Sequence, residues 1–101
     1  MKFPGVHGKD LKLLKQILNK FFKKSNVTYF VFGSRTTNQY RENSDLDLLI
    51  CAKKDIPGHI LLQLKDELEE SDLPFRVDLL EANTLPDSIL KSIKQQKLVK
   101  L

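Results

Sequence analysis

Residues 32–50 read FGSRTTNQYRENSDLDLLI. An apolar run ends at Gly33-Ser34, ten residues of mostly polar character intervene, and a second apolar run opens with Asp45-Leu46-Asp47. On a strand, residues i and i+2 point the same way, so Asp45 and Asp47 share one face while Leu46, Leu48 and Ile50 share the other. Two like charges side by side on a core strand are costly unless a cation or hydrogen-bond donors neutralise them. This stretch therefore poses the question of fold and the question of function together.

Working outward, NVTYFVFG (26–33), DLDLLICA (45–52) and PFRVDLLEA (74–82) are short and rich in strand-forming residues. The first is apolar on both faces, which predicts a strand covered on both sides and ended by Gly33. Between these strands lie patterns of helical period. In DLKLLKQILNKFFKK (10–24), Leu14, Ile17, Leu18, Phe21 and Phe22 form one stripe, and Asp10 stands at the expected N-cap. Lys12, Lys15, Lys20, Lys23 and Lys24 fall largely on the opposite face. A second helix is expected over 55–71, with Ile60, Leu61, Leu64 and Leu68 inside and Asp55 near its start. A third is expected over 85–96, with Pro86 in its first turn. Residues 34–43 predict a short helix or loop, and the alternating tail 97–101 predicts an edge strand. The fold class expected is α+β, an α/β sandwich with a small mixed sheet.

The chain has 101 residues, 41% hydrophobic and 30% charged, which fits one globular domain over 1–101 and argues against disorder. A net charge of +4 suits a polyanionic partner without requiring one. The single cysteine, Cys51, excludes an internal disulfide and fits a reducing cytoplasm. No apolar run reaches membrane-spanning length, and MKFPGVHGKD lacks a signal-peptide core. A cytoplasmic domain is the expectation.

A third acid, Asp78, sits in the strand FRVDLLE. Alone, an Asp-x-Asp pair is an ordinary solvated strand mouth, and Gly-Ser after a strand is an ordinary turn. Together they propose a site. Glycine lets a ligand approach the backbone, and the N–H groups of a following helix favour an anion. Arg35 and Arg41 lie in the same connection and are candidates for bidentate phosphate contact. Three carboxylates on neighbouring strands suit Mg²⁺, a hard cation that binds carboxylates and substrate phosphates.

Gly33-Ser34, the ten-residue spacer, Asp45-Leu46-Asp47 and the later Asp78 resemble the nucleotidyltransferase superfamily that includes DNA polymerase beta. The resemblance covers residues 27–81, and the compact length is like its minimal nucleotidyltransferase (MNT) branch. It implies the nucleotidyltransferase fold and a two-metal reaction moving a nucleoside monophosphate, AMP from ATP, onto a hydroxyl. By that resemblance Asp45, Asp47 and Asp78 hold two Mg²⁺ ions, with Mn²⁺ able to substitute, and Asp78 helps activate the attacking hydroxyl. Gly33, Ser34, Arg35, Arg41 and Ser44 form the nucleotide- and phosphate-binding set. Many relatives carry a small residue, an arginine and a glycine where this chain has Thr36, Thr37 and Asn38, which leaves the phosphate contacts to Arg35 and Arg41. A left-handed conformation remains open to Asn38.

The resemblance also implies a partner. MNT domains resemble antitoxins paired with small helical HEPN toxins, and a chain this short calls for an acceptor supplied by another protein. The alternative is a nucleotide-binding module that neutralises a partner without catalysis. Nucleic-acid binding through the lysine face is the weaker expectation, because no aromatic residues interleave with the lysines. The acidic run KDELEESD at the end of the second helix reads as surface charge. His7 and His59 lack ligand spacing, and Cys51 reads as a small buried side chain.

Overall fold

The computed structural model describes residues 4–23 and 25–101. Its elements in chain order are α1 (Gly8–Phe21), β1 (Val27–Phe32), a 3-10 turn (Ser34–Thr36), β2 (Leu46–Ala52), α2 (Gly58–Glu70), β3 (Val77–Glu81), a second 3-10 turn (Ala82–Thr84), α3 (Asp87–Lys94) and β4 (Val99–Lys100). The strands form one mixed sheet in the order β3-β2-β1-β4. β1 runs antiparallel to both β2 and β4, whereas β2 and β3 are parallel and joined through α2. The tail expected at the edge does lie there, its Lys100 opposite Phe30.

Strand alternation divides the core into two layers. Leu46, Leu48 and Ile50 join Val27, Tyr29, Val31 and Leu79 beneath Leu11, Leu14, Ile17 and Leu18 of α1 and Leu64 and Leu68 of α2. On the opposite face Phe32 and Leu49 pack on Ile93 of α3, with Phe30, Cys51 and Leu80 around them. The central strands are therefore apolar on both sides, as a doubly covered sheet requires.

Several boundaries differ from the sequence expectation. α1 begins at Gly8 with His7 as its cap residue, so Asp10 is no N-cap; it is a buried first-turn residue near the positive end of the helix. Lys24 lies outside the described residues. Pro86 caps α3 and stands one position before its first turn. Only Leu64 and Leu68 of the apolar set on α2 are fully buried. The helix end at Glu70 carries the acidic run, and Lys20 of α1 reaches Glu67 there at 3.1 Å. Lys20 is largely solvated and Glu67 partly so, so the pair contributes little stability. Among the described residues, no helix is long and apolar enough to cross a membrane.

Candidate active site

The site is built on one row across three strands. Phe32 of β1 stands opposite Asp47 of β2, and Asp47 stands opposite Asp78 of β3. Directly paired residues share a face, so the two carboxylates point to the side covered by α3. That helix covers Phe32, Leu49 and Leu80 and leaves this end of the row open: Asp47 is half-buried and Asp78 exposed. Asp45 lies one residue ahead of β2 and is exposed.

Gly33 turns the chain at the end of β1 with φ 81° and ψ −161°, a region open essentially to glycine alone. Steric crowding imposes the same identity. A Cβ at this position would collide with Oδ2 of Asp47, so the carboxylate lies directly against the Gly33 backbone. The chain then closes a 3-10 turn, in which Thr36 N–H donates to Gly33 O at 3.1 Å and Thr37 N–H to Ser34 O at 3.0 Å. Among the described residues, no acceptor meets the N–H groups of Ser34 and Arg35. The helix expected after Gly33 is thus three residues long, and its macrodipole is slight. What it offers an anion is free N–H groups and the exposed Ser34 side chain.

Electrostatics follow from this packing. The Asp47 carboxyl is held above its ordinary range, first by burial and then by the negative charges of Asp78 and Asp45. Among the described residues, no three ligating side chains are gathered into a preformed metal cluster. This accords with the charges present, because three carboxylates without a cation repel one another and the exposed Asp45 and Asp78 are not held inward. The donor set, three carboxylates at the mouths of two parallel strands, fits a hard divalent cation.

Arg35 departs from expectation. The sequence reading aimed its guanidinium at phosphate oxygens, but the side chain is 4% exposed and directed into the protein. Nε donates to Ser44 O at 2.9 Å, Nη1 to Gly5 O at 2.7 Å and Nη2 to Glu42 O at 2.9 Å. The group also stacks 4.5 Å from the Phe75 ring centroid. Burial forces each donor to find a carbonyl, and the loop 37–44 and the N-terminal segment provide them. Arg35 therefore clamps the loop, and only its backbone N–H faces the cradle.

The remaining residues of the set are less engaged. Arg41 is exposed, with its N–H donating to Ser44 Oγ at 3.0 Å, while Ser44 N–H returns to Arg41 O at 2.9 Å. Ser44 thus closes the turn that delivers Asp45. Thr36 and Thr37 use their hydroxyls locally, donating to Gly33 O at 2.7 Å and Ser34 O at 2.9 Å. Asn38 is not left-handed, since Gly33 has the only positive φ among the described residues. Cys51 is half-buried, its thiol pushed up by burial against a smaller opposing effect of Lys94, which makes it a poor nucleophile.

Two basic residues escaped the sequence reading. Arg76 and Lys65 line a cleft of about 670 Å³ together with Asp45 and Asp78. The available signal was alternation: in FRVD, Arg76 precedes Asp78 by two residues and shares its face.

Comparison with known proteins accords with this geometry. Residues 13–100 match the family model for the polymerase beta nucleotidyltransferases. The probable protein adenylyltransferase MntA of Haemophilus influenzae is 32% identical over 90 residues, spanning 89% of this chain and 77% of that protein. A putative protein adenylyltransferase of Methanocaldococcus jannaschii is 31% identical over 96 residues, spanning 90% of this chain and 97% of its own length. Among solved structures, a toxin–antitoxin with AMP-PNP superposes with a TM-score of 0.72 at 22% identity, covering 90% of this chain and 70% of that one. A mutant of the toxin–antitoxin MntA-HpeT gives a TM-score of 0.65 at 24% identity, covering 88% and 70%. At these identities the structures establish a shared fold.

Proposed function

The chain belongs to the polymerase beta nucleotidyltransferase family, and on that premise we propose that it transfers AMP from ATP to a hydroxyl group on a partner protein. The observation that carries this reading is the row in which Asp47 pairs with Asp78 while the Gly33 backbone lies against Asp47. A phosphate cradle and three carboxylates meet there within one sheet end. The names of the two relatives support a protein acceptor, and the fold shared with toxin–antitoxin complexes supports a toxin as that partner; its HEPN type rests on the family resemblance.

The roles follow from position. Free N–H groups of Ser34 and Arg35, with the Ser34 hydroxyl, hold the terminal phosphates of the triphosphate, and exposed Arg41 reaches the same charge. Asp45 and Asp47 would hold Mg²⁺, with Asp78 as the third ligand. When bound, divalent cations would supply Lewis acidity toward the acceptor hydroxyl and the departing pyrophosphate. Asp78, outermost of the three, accepts the hydroxyl proton. The acceptor oxygen forms a bond to the α-phosphorus, the α–β bridging bond breaks, and pyrophosphate leaves with its electron pair. The protein's part is positioning and electrostatics, as in phosphoryl transfer generally.

The test is incubation with α-labelled ATP, Mg²⁺ and a co-purifying partner. The partner acquires label with the native chain, and Asp45→Asn/Asp47→Asn reduces labelling at least ~100-fold. Equal labelling by the double variant removes the proposal. The second reading, neutralisation of a partner by association alone, draws on the Thr36-Thr37-Asn38 turn, whose two threonine hydroxyls are engaged within the loop. Neutralisation that survives alanine at all three aspartates favours it.

A further inference from the structure

Across the sheet, the site has a direction. From β1 to β3 it runs through the Gly33 cradle, then Asp45 and Asp47, then Asp78, and beyond Asp78 the sheet ends, because β3 is an edge strand. The hydroxyl that Asp78 is to deprotonate must therefore arrive from that edge. The cleft shared by Asp45 and Asp78 lies along it, floored by Leu68, Leu73, Val77 and Leu79 and rimmed by Lys65, Glu69 and Arg76.

The edge is open for main-chain pairing. Leu46 N–H donates to Arg76 O at 2.7 Å, so the Arg76 carbonyl faces β2. Backbone groups alternate sides along a strand, so those of Val77 and Leu79 face away from β2. Among the described residues they have no partner, whereas the Glu81 carbonyl is already taken by the Thr84 hydroxyl at 3.1 Å. The exposed Arg76 side chain stands at the same end without an ion pair among the described residues.

We infer that the acceptor is presented as an extended polypeptide segment lying along the open edge of β3, its hydroxyl residue at Asp78 and an acidic neighbour on Arg76. Strand addition gives affinity through the backbone groups of Val77 and Leu79, and the apolar floor takes alternate side chains. This inference rests on the nucleotidyl-transfer reading for the identity of the segment as acceptor, but the docking can be measured without transfer.

The experiment uses the ¹⁵N-labelled full chain and synthetic nonapeptides with a central tyrosine, flanked by glutamates or by lysines, with a short oligoribonucleotide as a third probe. The glutamate-flanked peptide is expected to shift the Val77 and Leu79 amides and protect them from hydrogen exchange. It should also bind at least tenfold more tightly than the lysine-flanked one. Val77→Pro, which removes an outward N–H and no ladder bond, should weaken binding tenfold or more. Arg76→Glu, an exposed change that leaves the ladder intact, should reverse the charge preference. Binding at the edge without AMP transfer supports the docking and overturns the nucleotidyl-transfer reading. Transfer that is indifferent to both variants upholds that reading and overturns the docking. Failure of both peptides to perturb the edge, or perturbation by the oligoribonucleotide instead, overturns the inference.

Discussion

Asp47 is the residue at which stability and function pull in opposite directions. Its carboxyl is raised by burial and by Asp78 and Asp45, so the ionised form burdens the fold. A raised folded-state pKa means that stability is highest below the unfolded value, 3.8, and falls as pH rises through the folded value. Without divalent cations, Asp47→Asn is therefore expected to melt above the native chain at pH 7, the gap closing near pH 3. Thermal melts across that range check it, and coincident curves at every pH would show that the charge is not strained. Arg35 makes the converse case. Arg35→Lys loses the three-carbonyl fork and the Phe75 stack, and should cost roughly 2–4 kcal/mol of stability. Lost nucleotide affinity at unchanged stability would return Arg35 to the phosphates.

At the scale of elements, the two layers serve the site unequally. α3 reaches the row beneath the carboxylates through Ile93, which packs on Phe32 and Leu49. α1 packs on the other face, through Leu14 among others. Ile93→Ala and Leu14→Ala should each destabilise by about 2–4 kcal/mol. Only the first should also weaken Mg·ATP binding, several-fold, because Phe32 pairs with Asp47 and leads into Gly33. Denaturant melts paired with calorimetric titration of each variant separate the two effects. Equal affinities would mean that the row is held by the strand ladder alone.

For the whole molecule, ligand binding and folding are linked. Mg·ATP at 100 times its dissociation constant should add about 2.7 kcal/mol. For a domain of this size that corresponds to a melting shift of roughly 10–20 °C. EDTA should remove most of it, since ATP without the cation would bring further negative charge to three carboxylates. A shift that survives EDTA intact would mean that the nucleotide binds without these acids.

Much of this was legible in the residues. Period-2 and period-3.6 patterns specify the strands and helices, because burial of apolar faces dominates folding. The spacing of Gly33, Asp45, Asp47 and Asp78 places a carboxylate on each of two strands beside a glycine turn. The destination of Arg35 was not legible. Its partners are carbonyls 30, 9 and 7 residues away, and a carbonyl has no side-chain signature. The loop 34–43 could be read as helix or coil because its polar residues bond to their own backbone. In the sheet order β3-β2-β1-β4, only hydrogen bonding between distant segments decides that β3 is the edge and that Arg76 lines the cleft with Asp45 and Asp78. Local chemistry determined which residues can act. Tertiary pairing decided which of them face one another, because register and burial depend on partners remote in the chain.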